Sequence, residues 1–226
     1  MTDQPFTARF AHALRRFVAV PFDVQTYRNL AYLALAFPLG LAYFVGVTVG
    51  LSLGAGLLIT WVGLPIIVAT VALATIAAGF EAQLVERLLG MEAPLPEMLR
   101  EFDAEAAVAV PGDGFLASVK RLLVAPTTWT SVFLLVGKFA FGVVAFTALV
   151  TAWSVAVATI GAPLVYDASH ATYYAGPYVI DTLAEAVALS AAGVLFALAS
   201  LHVLNGLARL GGLLTTSLLS VDRQAV

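Results

Sequence analysis

NLAYLALAFPLGLAYFVGVTVGLSLGAGLLITWVGLPIIVATVALATIAAG, residues 29–79, contains no charged side chain. As one straight helix it would be about 76 Å long, because each residue adds about 1.5 Å. The hydrocarbon core of a bilayer is about 30 Å thick, so the stretch has to cross twice and turn in between. Gly54-Ala55-Gly56 and the interval 57–65 both offer a turn. The later one places Trp61 at an interface and Pro65 in the first turn of the returning helix. Small residues recur every fourth position in the first crossing, at Ala42, Gly46, Gly50 and Gly54. Such a ladder lets another helix approach closely in lipid, where hydrophobicity no longer drives association.

The rest of the chain agrees with a membrane setting. It is 61% hydrophobic and 11% charged, with a mean hydropathy of +0.97, against about a quarter charged residues in an ordinary soluble domain. A net charge of −3 gives no reason to expect nucleic acid as a partner. With no cysteine there is no disulfide framework, no thiolate metal site and no thiol nucleophile. The N-terminus does not read as a cleaved leader. Its basic residues are spread over Arg9 to Arg28, and the apolar run behind them is too long.

Outside the opening run, FTARFAHALRRFVAV at 6–20 sets Phe6, Phe10, Leu14, Phe17 and Val18 on one helical face, with Arg15 and Arg16 largely opposite. This is the pattern of an amphipathic helix lying on a membrane surface. Residues 91–114 hold three of the prolines and a group of acidic residues, and read as a water-exposed cytoplasmic linker. FLASVKRLLVAP at 115–126 is a second basic amphipathic stretch, carrying Lys120 and Arg121. Apolar sequence then runs from Trp129 to Ile160, interrupted only by Lys138, and again from Thr182 to Leu207.

FAHALRRFVAVP at 10–21 aligns with FLASVKRLLVAP at 115–126, and beyond it Phe37 matches Phe139 and Gly40 matches Gly142. Each half therefore reads as a surface helix followed by a transmembrane hairpin, an internal repeat. The expected architecture is all-α: one membrane domain over 1–226 with four transmembrane helices in two repeated hairpins. The first half covers 10–90, the linker 91–114 and the second half 115–220. Every Lys and Arg except Lys138 falls on termini or connecting segments that this topology places inside, and the 161–181 loop has none. The charge asymmetry predicts a cell-membrane protein with both termini cytoplasmic and both hairpins inserted the same way.

Few residues carry candidate chemistry. His12, His170 and His202 lack metal-ligand spacing and triad order, and no HExxH, GxSxG or phosphate-binding loop is present. No enzyme activity, catalytic residue, cofactor or metal is expected. Lys138 is the one ionisable group inside an apolar span, at a depth from which it can snorkel to the interface. GAPLVYDASHATYYAGPYVID at 161–181 is the best ligand loop, gathering Tyr166, Asp167, His170, Tyr173 and Tyr174. Its tyrosines suit headgroup anchoring or an apolar or cationic ligand, and His170 suits pH sensing. Ala148, Ala152 and Ala156, and Ala184, Ala188 and Ala192, repeat the small-residue spacing on the later spans. They imply one tight bundle, or a homodimer using the spare face.

TYRNLAYLALAFPLGLAYFVGVTVGLSLGAGLLITWVGLPII at 26–67, EAQLVERLLG at 81–90 and PTTWTSVFLLVGKFAFGVVAFTALVT at 126–151 resemble the sensor-domain family found at the N-terminus of many actinobacterial and archaeal histidine kinases. The resemblance implies a four-span module that detects a membrane or extracellular signal and passes it to a cytoplasmic kinase. This sequence has no phosphoacceptor-histidine helix or ATP lid, and its segment after the second span is poorer in arginine than the family pattern. The mild acidity and lack of cysteine suit a halophilic archaeon. The expected function is thus a standalone membrane sensor for signal transduction, with the lipid bilayer and a cytoplasmic kinase or regulator as partners. A small transporter or channel is the alternative.

Overall fold

A charge-free apolar segment in lipid has to satisfy its own backbone hydrogen bonds, and a helix does so residue by residue. The computed structural model, which describes residue 15 and residues 17–94, 126–167 and 173–220, is built on four long helices. They are α1 (Val24–Gly56), α2 (Gly63–Leu89), α3 (Pro126–Ile160) and α4 (Leu183–Ser220). Each is long and apolar enough to cross a membrane, with a mean hydropathy of 2.0 to 2.2 over its most apolar window. The chain is an all-α multi-pass membrane protein. The basic stretch 6–14, Arg16, most of the linker and 115–125 lie outside the described residues, as do Lys120 and Arg121.

Local sequence accounts for the helix ends. The turn between α1 and α2 lies at residues 57–62, with a 3-10 turn at Leu58–Thr60 and Trp61 in the left-handed region at φ 61°. Pro65 sits within the first turn of α2, where its missing N–H costs nothing. Gly90, at φ 66°, caps the C-terminus of α2, and its N–H reaches the Glu86 carbonyl. At the start of α4, the Thr182 hydroxyl accepts from the Glu185 N–H while the Glu185 carboxylate accepts from the Thr182 N–H, both at 3.3 Å. That reciprocal pair is a capping box.

The 161–181 segment differs from the loop expected of it. After a single helical turn at Ala162–Val165, strands β1 (Tyr173–Ala175) and β2 (Tyr178–Ile180) pair antiparallel, Tyr174 opposite Val179. Gly176, at φ 63°, and Pro177 make the two-residue connection. A positive φ is what a tight hairpin of this length needs and what glycine supplies without strain.

Packing divides the chain into two compact units, each drawing on both halves of the sequence. The first comprises Met1–Leu30 and Thr147–Gly206. In it Asn205 bridges α4 to α1: its amide oxygen accepts from Asn29 at 2.8 Å and its amide nitrogen donates to Thr26 at 3.1 Å. Gln25 donates to the Asn29 side-chain oxygen at 2.9 Å, so the polar groups satisfy one another. His202 stacks on Phe17, ring centroids 4.8 Å apart. Gly193 fits against Thr159.

The second unit comprises Ala31–Phe146 and Leu207–Val226. Here α1 and α3 cross at two glycines. A Cβ on Gly40 would meet the Lys138 carbonyl at 2.7 Å, and one on Gly142 would collide with the backbone of Ala36 and Phe37. Phe37 stacks on Phe146 with centroids 5.1 Å apart, and Phe44 stacks on Phe139 at 4.8 Å. Both helices carry F-x-x-G-x-x-x-F, at 37–44 and 139–146, and each motif packs on its counterpart reciprocally.

The direction of α3 corrects the expectation of two hairpins inserted alike. Val47, late in α1, clusters with Val132 and Leu135, early in α3, so the two helices run antiparallel. The physical reason is the reciprocal glycine contact, which brings the two backbones together with Phe rings on either side. The small-residue ladder is also divided. Gly50 and Gly54 pack against Thr70 and Ile67 of α2, whereas Gly46 has open space around it and Ala42 is exposed.

Two outcomes check this packing. Gly142→Leu should destabilise the detergent-solubilised protein by at least about 1–3 kcal/mol in thermal unfolding, as overpacking does, while Gly46→Leu should stay within about 0.5 kcal/mol. In the otherwise cysteine-free chain, Val47→Cys with Leu135→Cys should cross-link in membranes under mild oxidation. Parallel helices would hold these positions too far apart to react.

Candidate functional site

An ammonium removed from water needs partners for all three of its N–H groups. In the second unit Lys138 of α3 is 4% exposed, and it finds them on three other helices. Its Nζ lies 2.5 Å from Glu81 Oε2 of α2, donates to Tyr32 Oη of α1 at 2.7 Å, and reaches Thr215 Oγ1 of α4 at 3.4 Å. The Nζ also lies 4.6 Å from the centroid of the Tyr32 ring and 5.9 Å from that of Phe141, within the range of a cation–π attraction.

Backbone geometry holds the cluster in place. Gly40 and Gly142 bring α1 and α3 together at the level of Lys138. A Cβ on Gly211 of α4 would meet the rings of Phe141 and Tyr32 at 2.5 and 3.0 Å, so only glycine lets α4 come this close. One turn further on, Thr215 uses its hydroxyl proton on the Gly211 carbonyl at 3.1 Å, leaving its oxygen free to accept from Lys138.

Glu81 is completely buried, and its Oε1 has no hydrogen-bond partner among the described residues. The Tyr43 hydroxyl of α1 is also buried, beside the Glu81 carboxylate. Tyr43 lines a cleft of about 170 Å³ between Ala42, Gly46, Val47, Thr70, Ala74 and Leu135. The open space at Gly46 thus forms part of a recess lined by Tyr43.

The expected snorkelling of Lys138 does not occur. A buried carboxylate lies within ion-pair distance, and the side chain turns into the bundle. Glu81 and Tyr43 were not among the expected site residues, because Glu81 marked the end of the charge-free run. Its place inside α2, followed by the amphipathic LVERLL, was the available signal. A lysine in an apolar span calls for a carboxylate on a neighbouring helix.

The ligand loop gathers less than expected. Tyr166 packs against Ala162, Ile180 and Ala186, while Tyr174 is exposed on β1 and Asp167 is exposed at the end of the helical turn. His170 lies outside the described residues, and for Tyr173 only the backbone position on β1 is described. The first unit holds an apolar groove of about 480 Å³ walled by Leu30, Trp153, Val157 and Leu201, with Thr26 and Ser200 as polar points.

Four apolar helices around a buried Lys–Glu pair define a polytopic membrane protein whose polar site lies within the helical bundle. A family model with the description "Putative sensor" matches residues 32–219, and the chain belongs to that family. Comparison with curated proteins and with solved structures finds no match.

Removing one partner of the pair should be worse than removing both. Lys138→Met alone leaves Glu81 uncompensated and should cost about 3–5 kcal/mol. Adding Glu81→Leu to that variant should restore most of the loss in thermal unfolding.

Proposed function

We propose that this chain is a membrane sensor module that passes its signal to a separate cytoplasmic protein, a kinase or other regulator. The observation that carries this reading is membership in the sensor family across residues 32–219. The Lys138 cluster supports it, because a change in the packing of any one of the four helices alters the partners of one ammonium. A signal acts through such a site only if it binds or favours one arrangement more than another. The reading includes no catalytic role and no cofactor.

A small transporter is the second reading, favoured by one observation. A charge pair lies where two antiparallel helices with matching motifs cross, and inverted repeats with sites at their interface are a common transporter plan. The charge asymmetry of the sequence supports a cell-membrane location with both termini cytoplasmic. The antiparallel course of α1 and α3 runs against that sidedness, and reporter fusions at each terminus distinguish the two.

Capture of the tagged full chain from cross-linked native membranes should bring down a cytoplasmic kinase or regulator, and Glu81→Gln should change that partner's output without reducing capture. Solute flux into vesicles containing the purified chain, in the absence of any captured partner, would replace this reading with transport.

A further inference from the structure

From the buried carboxylate of Glu81 and the cleft lined by its neighbour Tyr43, we infer that Glu81 is a proton-binding site within the membrane domain, reached past Tyr43. Among the described residues, the titratable groups that face it are Tyr43 from α1 and Lys138 from α3, with Tyr32 beyond Lys138; α4 contributes the uncharged Thr215.

Oε2 lies against the Lys138 ammonium, and Oε1 and the Tyr43 hydroxyl are buried polar atoms next to it. Buried polar atoms in a native site call for an occupant that hydrogen-bonds to them. Tyr43, beside the carboxylate, connects it to the cleft that this tyrosine lines. A metal cation at Oε1 would sit against the ammonium on the other oxygen, and like charges at that separation repel strongly in a low dielectric. A proton avoids this conflict, because it neutralises the carboxylate by forming an O–H bond on Oε1.

The step balances simply. One proton leaves a water or hydronium in the cleft, an O–H bond forms at Oε1, and the charge of the Glu81–Lys138 pair rises from zero to plus one. The remaining partners of Lys138 are already in place. Tyr32 and Thr215 still accept from it, and the Tyr32 and Phe141 rings lie within cation–π range. Protonation therefore reduces the hold of α2 on the ammonium from an ion pair to a neutral hydrogen bond at Oε2, while α1 and α4 keep theirs.

The test is infrared difference spectroscopy of the full chain in phosphatidylcholine vesicles, stepped between neutral and acidic pH in H₂O and D₂O. A protonated-carboxyl band that shifts in D₂O and is lost in Glu81→Gln is the expected result; no difference between the native chain and E81Q overturns the inference. If E81Q does not fold, Tyr43→Phe carries the test. The same band should shift in Y43F, which keeps the ion pair, and an unshifted band overturns the inference. These spectra are taken without any partner, so a failed capture of a kinase or regulator leaves proton binding to be judged by itself.

Discussion

A lysine with three donors and nowhere to reach water sets the terms for the second unit. Lys138 is held by Glu81, Tyr32 and Thr215, one group from each of the other three long helices. Hydrophobic burial gives helices in lipid little reason to choose one another. A buried ammonium does, because each absent partner leaves a desolvated charge exposed to an apolar medium. The close contacts at Gly40, Gly142 and Gly211 follow from this requirement: a lysine side chain is short compared with the width of a loosely packed bundle, and the helices have to come together around it.

The same geometry explains what could be read from the chain and what could not. The four helices were legible because charge-free runs of that length have no other way to satisfy their backbone. Lys138 was legible as an anomaly within such a run. Its environment was not, since depth in a span says nothing about which neighbouring helix supplies a carboxylate. The glycines that matter most, at 40, 142 and 211, lie outside the four-residue ladder, and half of that ladder faces open space. Spacing shows that a helix has a small face, but contact depends on which way that face turns. The strand pair at 173–180 was available in the sequence as aromatic and β-branched residues flanking Gly176-Pro177, a signal outweighed by the apolar helices around it. The direction of α3 could not be read from charge, which reports where loops settle and not which helices pack together.

The reciprocal contacts of the two F-x-x-G-x-x-x-F motifs add a different kind of information. In a two-fold contact, residue i of one copy meets residue j of the other and j meets i, and the pairs Phe37–Phe146 and Phe44–Phe139 follow that rule at nearly equal separations. The symmetry stops at chemistry, because Lys138 on α3 is matched on α1 by Ala36, which contacts Gly142. A shared scaffold thus carries one asymmetric charge.

In the first unit, the amide of Asn205 spans Thr26 and Asn29, three residues apart on α1. Sliding α4 one turn toward the C-terminal end of α1 would offer that amide Leu30 and Leu33 in place of its partners, and neither side chain can accept or donate. In that direction the pair has no second polar registration. Axial sliding, a common way for packed helices to shift, therefore strips the amide of both partners when it runs that way, whereas tilt and rotation about the Asn205 side chain leave them in place.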